Sequence, residues 1–200
     1  YSSTSLVFLL KRRLKQDITL CNEVLGSTLI EKNEEMLKLV ERVNNHNGVL
    51  HLMGLVSDGG VHSDITYMKN LIGHLKTIGI KKVKFHVITD GRDTGVKTSI
   101  SYIEDLDKAL QENGIGNIAT ICGRYYAMDR DNKWERTKLY SDMLLMGKGA
   151  QIKNYKTAIE ACYKRDVTDE FLPPIIIDSD GMLKDGDSVL FLAVRKNKKD

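Results

Sequence analysis

Residues 117–136 read NIATICGRYYAMDRDNKWER, a short apolar run followed at once by a strongly charged stretch. The apolar run, Asn117–Cys122, has the profile of a buried strand. The next fourteen residues, Gly123–Arg136, hold four basic and three acidic side chains, two tyrosines and the only tryptophan. Ligands of open α/β sheets bind beyond the carboxyl ends of the strands, and arginine suits phosphate and carboxylate groups. The stretch therefore predicts an anion-binding loop at a sheet edge.

Two earlier apolar runs, Val49–Val56 and Val83–Thr89, also end in polar loops, SDGGVHS and DGRDT. The three runs end at residues 56, 89 and 122, thirty-three residues apart each time, which is the length of a βαβ unit. Amphipathic patterns predict a helix in each interval. We therefore expect a single α/β domain, a mostly parallel central sheet flanked by helices, with three polar loops on one edge. The complete set of predicted helices is 33–44, 64–78, 99–113, 133–146 and 155–163, and two further strands are predicted at 175–177 and 188–194.

Composition narrows the class of protein. The chain has 200 residues, of which 42% are hydrophobic and 28% charged, as in ordinary globular domains. Its net charge of +3 gives no argument for binding nucleic acid or a membrane surface. The apolar patch Leu6–Leu10 is too short for a membrane span. Three widely spaced cysteines predict neither a disulfide framework nor a zinc site, which favours a reducing, cytoplasmic location.

The first two loops offer His62, Arg92 and Asp93 as candidate site residues. His62 follows two glycines at a strand end, where a structural role and a ligand contact have about equal weight. In DGRD, one interpretation is a local salt bridge in a tight turn that Asp90 initiates. The other makes Arg92 an anion ligand and Asp93 a general base for a neighbouring hydroxyl. We favour the second because the third loop also carries arginines.

The third loop offers Arg124 and Arg130, which are expected to bind the two ends of one small anion. Lys133 and Arg136 are assigned to the helix surface, with Glu135 or Asp131 as partners. The aromatic side chains of this loop are expected to pack rather than to stack on a ligand: Tyr125, Tyr126 and Trp134. The strand histidines His51 and His86 are expected to be core or edge residues with satisfied hydrogen bonds.

Several catalytic motifs are absent from the sequence. It contains no GxSxG, P-loop, GxGxxG or HExxH pattern. No serine stands in a convincing nucleophile setting. The side chains above are suited to binding and orienting a phosphorylated hydroxy acid, but they do not form a complete catalytic apparatus.

Three motifs carry a resemblance to a known family: HLMGLVSDGGVHS at 51–63, DGRDT at 90–94, and GRYYAMDRDNKWER at 123–136, with a TDEF-LPP segment behind them. Over roughly residues 12–195 the chain resembles the cofactor-independent, or 2,3-bisphosphoglycerate-independent, phosphoglycerate mutases. Members of that family have an alkaline-phosphatase-like domain with two manganese or magnesium ions and a serine that becomes phosphorylated. A second, inserted domain binds the phosphoglycerate, and this chain resembles the inserted domain.

The resemblance implies roles for individual residues. It assigns substrate contacts to His62, Arg92, Asp93, Arg124 and Arg130, and it makes Asp93 the acid that moves the proton of the accepting hydroxyl. The implied isomerase reaction of glycolysis passes phosphate from 3-phosphoglycerate to the serine and back to the other hydroxyl, which yields 2-phosphoglycerate. In the motif AVRKNK, Arg195 matches a further family arginine and Lys198 replaces another.

The departures from the family pattern affect both ends of the chain. The metal and serine motif NSEVGH would fall near residues 1–5, where this chain has YSSTS. The metal-binding residues of the family's second half are also absent. We therefore predict a weakly matching segment at 1–15, a phosphoglycerate-binding domain at 16–195 and a basic tail at 196–200. The chain alone is expected to bind no metal, to be monomeric and inactive, and to need the phosphatase-like domain as its partner.

Two alternative functions remain open from the sequence. A non-catalytic module that binds phosphate or carboxylate would keep the same arginines without contributing chemistry. A phosphopentomutase belongs to the same superfamily, but its inserted domain is not expected to carry GRYYAMDRD.

Overall fold

The computed structural model describes residues 24–193. The predicted segment 1–15, the tail 196–200 and the candidate residues Arg195 and Lys198 lie outside this range. Helices and strands alternate along most of this range. The strands are β1 Leu50–Leu55, β2 Val83–Thr89, β3 Gly116–Gly123, β4 Ala150–Gln151, β5 Ile175–Ile176 and β6 Ser188–Leu192. The helices are α1 Glu34–Asn45, α2 Ile65–Thr77, α3 Ser99–Asn113, α4 Arg124–Ala127, α5 Trp134–Met146 and α6 Tyr155–Tyr163, and 3₁₀ turns cover Ile30–Lys32 and Asp169–Phe171.

The six strands form one sheet in the order β4-β5-β3-β2-β1-β6. Strands β3, β2, β1 and β6 are parallel to one another, whereas β5 pairs antiparallel with β3. The predicted fold class, a mostly parallel α/β sheet flanked by helices, is therefore confirmed. The carboxyl ends of β1, β2 and β3 lie at the same edge, as the regular spacing of the three runs predicts.

The central strands are apolar along almost their whole length because both faces of the sheet are covered. On one face, side chains such as Leu52 and Phe85 pack against the helices α1, α2, α3 and α6. On the other face, Met53, Ile88 and Cys122 pack against α5. A parallel sheet covered on both sides needs continuous hydrophobic strands rather than alternating ones. This requirement explains why β1 is buried at every position.

The ends of the helices follow from local sequence. Asn33 accepts a hydrogen bond from the backbone N–H of Met36 and so caps α1, as predicted. Asp64 caps α2 in the same way through the N–H of Thr66. Gly114 ends α3 with φ of 65°, a left-handed conformation that glycine adopts without strain.

The structure differs from the sequence-based predictions, or adds to them, at four places. Residues 124–127 form the one-turn helix α4 rather than loop. The short strand β4 was not predicted, and residues 169–171 of the TDEF-LPP segment form a 3₁₀ turn. Trp134 does not pack, since 72% of it is exposed. These elements are short or lie at the surface, where the pattern of apolar residues carries little information.

Candidate functional site

Side chains tie together the loops that follow the three central strands. Ser57, just beyond β1, donates a 2.7 Å hydrogen bond from its hydroxyl to Oδ2 of Asp90, just beyond β2. Both residues are buried. Oδ1 of Asp90 also accepts the N–H groups of Arg92 and Asp93, which fixes the DGRD turn. Asp90 therefore initiates this turn, as one sequence-based interpretation held, and it also holds the first loop in place.

Arg124, the first residue after β3, completes the connection. Its Nη1 lies 2.7 Å from Oδ1 of Asp90 and 2.7 Å from Oδ2 of Asp93. Only 7% of the Arg124 side chain is exposed, so this guanidinium is buried between two carboxylates. The carboxylates of the DGRD turn are thus paired with Arg124 of the third loop and not with Arg92 of the turn itself, as a local salt bridge would require. Arg92 instead lies 4.0 Å from Glu170.

The contacts of Asp90 shift its protonation equilibrium. Burial alone would raise its pKa, because the low dielectric disfavours the charged form. Hydrogen bonds from the Asp93 amide, the Ser57 hydroxyl and the Arg124 guanidinium outweigh burial and hold the pKa of Asp90 below its ordinary value. The same two carboxylates raise the pKa of Arg124. The buried cluster is thus a carboxylate and guanidinium network.

Two glycines let a fourth segment approach this network. A Cβ at Gly123 would overlap the carbonyl oxygen of Glu170, and a Cβ at Gly91 would lie 2.7 Å from the Glu170 nitrogen. Gly91 also has φ of 70°. The Gly123 N–H donates a 2.8 Å hydrogen bond to the Leu172 carbonyl. The absence of side chains at both positions therefore brings Glu170 beside the loops.

Asp169 anchors that segment from the other side. Its Oδ2 accepts the backbone N–H groups of Thr98 and Ser99, at the start of α3. Its Oδ1 accepts the hydroxyls of Ser99 and Tyr163. Asp169 is buried, and a carboxylate at a helix N-terminus is stabilised by the helix dipole. The position of Glu170 is therefore fixed by its neighbour.

These elements enclose a cleft of about 140 Å³, a volume suited to a small ligand. Four predicted site residues line it together: His62, Arg92, Arg124 and Arg130. Asp93 stands behind Arg124, to which it is bonded, and is not part of the wall. The full lining is His62, Arg92, Arg124, Tyr125, Met128, Asp129, Arg130, Asp131, Arg136 and Glu170.

Arg136 has a different position from the one predicted. It belongs to α5 and pairs with Asp131 as expected, but it also pairs with Asp129 and lines the cleft. Its guanidinium carbon lies 3.9 Å from the ring centroid of Tyr125. Arg136 is therefore part of the cleft rather than of the outer helix surface, because the chain folds back at residues 128–133.

Ionic pairing divides the four arginines of the cleft into two groups. Arg92, Arg124 and Arg136 each lie within 4.0 Å of a carboxylate. Arg130 forms no ion pair with any residue in the range 24–193, and it is exposed. A cation without a protein partner is the one best placed to receive an external anion.

Sequence reasoning missed Ser57, Asp129 and Glu170. Glu170 lies in the TDEF segment, which supported the resemblance but carried no assigned role. Ser57 and Asp129 have ordinary polar signals, and only the folded chain brings Ser57 to Asp90 or Asp129 to Arg136. Polar pairs of this kind, which form between loop residues on folding, leave no periodic pattern in a single sequence.

The comparisons with known proteins show the family of the chain. The family model described as the N-terminus of BPG-independent PGAM matches residues 22–199. The chain belongs to this family. A 2,3-bisphosphoglycerate-independent phosphoglycerate mutase from Clostridium novyi is 46% identical over 173 residues, which are 84% of this chain and 34% of that protein. A relative of the same description from Methanosarcina barkeri is 42% identical over 193 residues, which are 94% of this chain and 37% of that protein.

A solved structure supports the fold as well as the family. Leishmania mexicana phosphoglycerate mutase, crystallised at low cobalt concentration, matches with a TM-score of 0.83 and 29% identity. The match covers 89% of this chain and 35% of that one. The chain thus spans about a third of the length of the mutases that it matches.

The described residues show neither a metal-binding cluster nor a membrane-spanning helix. Between residues 24 and 193, no three His, Cys, Asp or Glu side chains cluster closely enough to hold a metal ion. This part of the chain therefore does not fit the metal pair that the family resemblance implies. No helix in the same range is long and apolar enough to cross a bilayer.

Proposed function

We propose that this chain is the substrate-binding domain of a 2,3-bisphosphoglycerate-independent phosphoglycerate mutase. In this proposal its cleft binds 3-phosphoglycerate and 2-phosphoglycerate, which the complete enzyme interconverts in glycolysis and gluconeogenesis. Membership of the family supports the proposal. So does the cleft itself, because four arginine side chains converge there at the carboxyl edge of a parallel sheet.

The observation that carries the proposal is the unequal pairing of Arg124 and Arg130. Arg124 uses only Nη1 for its two carboxylate contacts. A guanidinium has five N–H donors in a fixed plane, so those on Nε and Nη2 remain for a ligand. Arg130 is exposed at the cleft, and no carboxylate within residues 24–193 pairs with it. One arginine is therefore held rigidly while the other is available to move onto an anion.

Asp93 is suited to handle the proton of the accepting hydroxyl. As a carboxylate it accepts a hydrogen bond from Arg124, and 19% of its side chain is exposed. Asp93 does not line the cleft itself, so the proposal requires a substrate held by Arg124 to reach the exposed part of the neighbouring Asp93 carboxylate. In this proposal Asp93 takes the proton from the hydroxyl that receives the phosphoryl group and returns it in the reverse direction.

The remaining parts of the reaction belong to a partner domain in this proposal. That domain supplies the phosphorylated serine, and its two manganese or magnesium ions, when bound, supply Lewis-acid chemistry. This chain contributes binding, orientation and proton transfer. The two described cysteines are free and buried, which fits the proposed cytoplasmic location. We further propose that the chain is monomeric.

Calorimetric titration with 3-phosphoglycerate tests the proposal. Arg124→Ala and Arg130→Ala should each weaken binding roughly ten-fold or more, because a hydrogen bond to a charged group contributes about 1.5–3 kcal/mol. Lys108→Ala is the control, since this lysine lies on the exposed face of α3 beside Glu112. The control should leave the affinity unchanged.

The outcomes separate the candidate functions. Binding of 3-phosphoglycerate that both arginine variants abolish supports the substrate domain. Equal affinity for 3-phosphoglycerate and for inorganic phosphate would favour the non-catalytic anion-binding module instead. If the folded chain does not bind 3-phosphoglycerate at all, the proposed function of the isolated chain is rejected.

A further inference from the structure

Arg136 contacts the residues on both sides of Arg130. Its Nη1 lies 3.1 Å from Oδ1 of Asp129 and 3.3 Å from Oδ2 of Asp131. Asp129 and Asp131 immediately precede and follow Arg130 in the chain. One side chain of α5 therefore fixes the backbone segment from which Arg130 projects.

The contact to Asp129 is the more protected of the two. Only 3% of the Asp129 side chain is exposed, compared with 65% for Asp131. A buried carboxylate without a cationic partner is costly, so Asp129 depends on Arg136. Oδ2 of Asp129 also accepts the backbone N–H of Lys133 at 2.8 Å, which closes the loop onto the start of α5. Asp129 therefore takes part in two of the three hydrogen bonds that hold the loop, and the third joins Arg136 to Asp131.

The Arg136 side chain has a third contact, with the aromatic ring of Tyr125. The guanidinium lies over this ring at 3.9 Å, and Tyr125 in turn packs against Phe171 with ring centroids 4.9 Å apart. Phe171 follows Glu170 of the cleft wall. Arg136 is therefore held between α4 and the Arg130 loop, with the 169–171 turn behind Tyr125. A flat guanidinium makes such stacking and ionic contacts at once, which a lysine ammonium does not.

We propose that Arg136 is a positioning residue that holds residues 129–133 in place, so that Arg130 faces the cleft and meets the anionic substrate. The inference rests on the proposed function for the identity of the ligand. Arg130 has no ion pair of its own in the described part of the chain, so its direction depends on the backbone on either side. Arg136 fixes both sides at once.

Hydrogen exchange of the 200-residue chain tests the positioning without a ligand. Arg136→Ala should speed amide exchange across residues 129–133, above all at the Lys133 N–H, while the strands keep their protection. Lys138→Ala is the matched control, since it removes another cation of α5 that pairs with Asp142 away from the cleft. Unchanged exchange at 129–133 in Arg136→Ala would overturn the inference.

A double-mutant cycle with 3-phosphoglycerate tests whether Arg136 acts through Arg130. Arg136→Ala should weaken binding at least about three-fold in the unaltered chain, but less than about two-fold when Arg130 is already alanine. Arg136→Lys should restore only part of the affinity, because the ammonium cannot reproduce the planar contacts. Equal losses in both backgrounds would overturn the inference, because Arg136 would then bind the substrate directly or act through the fold.

The two measurements keep this inference distinct from the proposed function. If the unaltered chain does not bind 3-phosphoglycerate, the proposed function of the isolated chain fails. The exchange comparison alone then decides whether Arg136 positions the loop.

Discussion

Ser57 and Asp90 are joined by a 2.7 Å hydrogen bond between two loops whose strands are neighbours in the sheet. The bond matters because Asp90 also receives Arg124 from the third loop. Asp90 thus contacts all three loops that the sequence places after the central strands. No local sequence pattern reveals this hydrogen bond, because a complete helix separates Ser57 from Asp90 in the chain.

Replacing Asp90 with asparagine should damage both stability and the site. Asp90→Asn keeps the shape of the side chain but leaves the Arg124 guanidinium without one of its two counter-charges. We expect a loss of about 1–3 kcal/mol in the free energy of unfolding, because the group is buried. Urea unfolding at neutral pH measures this loss. The control is Asp105→Asn, whose carboxylate is exposed and pairs with Lys69 at 3.8 Å; it should change stability by less than about 0.5 kcal/mol.

The same contacts predict a dependence on acid. The pKa of Asp90 is lowered in the fold, so the folded state favours the carboxylate. The stability that this provides is present above the unfolded pKa of about 3.9 and is lost as pH falls below it. Asp90→Asn should therefore differ most from the unaltered chain at neutral pH and less at about pH 3. A constant difference across this range would contradict the assignment.

A buried pair of histidines should make the fold sensitive to milder acid. The Nδ1 of His51 lies 2.8 Å from Nε2 of His86, whose Nδ1 lies 2.9 Å from the Thr120 hydroxyl. Both histidines are thus hydrogen-bonded core residues, as predicted. Burial, with the neighbouring His51 and Lys84, lowers the pKa of His86 to about 3. His86 is then neutral in the folded state but protonated in the unfolded chain below about pH 6.5.

The sign of this effect follows from proton linkage. The unfolded state binds the additional proton, so stability falls as pH decreases from about 6.5 toward 3, by up to about 1.4 kcal/mol per pH unit. His86→Gln retains a polar side chain but cannot titrate. It should reduce the slope of the free energy of unfolding against pH by up to about 1.4 kcal/mol per pH unit. His46→Gln, in an exposed loop, is the control. Urea unfolding at pH 6.5 and at pH 5 measures the change in the free energy of unfolding for the unaltered chain and the two variants. The same change in all three proteins would refute the effect.

The close approach of residues 169–172 makes Gly123 sensitive to a single methyl group. Gly123→Ala would place its Cβ against the Glu170 carbonyl, so the segment must shift, at a cost of about 1–3 kcal/mol. Gly73→Ala is the matched control, since nothing lies within 4 Å of its Cβ on α2. Alanine favours a helix by up to about 1 kcal/mol over glycine, so the control should be stabilising. Thermal unfolding compares the two, and equal midpoints would contradict the packing argument.

The 200-residue chain on its own should not interconvert 3-phosphoglycerate and 2-phosphoglycerate. Its described residues contain the cleft but no cluster that fits a metal ion. A coupled assay of the purified chain, with the Clostridium novyi mutase as the positive control, measures this activity. Turnover by the chain alone that Asp93→Asn abolishes would show that the prediction is wrong.

The sequence predicted the sheet and the place of the cleft, but not the contacts within it. The spacing of Val56, Thr89 and Cys122 was sufficient because three parallel strands bring their carboxyl ends to one edge. The buried ion pairs of Arg124 and the place of Arg136 in the cleft were not predictable, since each depends on carboxylates brought close by folding. The anion-binding roles of His62 and Arg92 stay predictions, as do those of Arg195 and Lys198, which lie outside the described residues.

The pairing of β2 with β3 has a consequence for how the chain folds. Ala119 is an extra residue in β3 that shifts the register, so that Thr89 pairs with Gly123 and Asp90 comes next to Arg124. A slip of one residue would move Asp90 away from Arg124, and the loss of this buried ion pair would raise the free energy of the misaligned sheet. The Asp90–Arg124 ion pair thus favours the native alignment of β2 with β3. Arg124, which is proposed to bind substrate, therefore also contributes to the pairing of the strands.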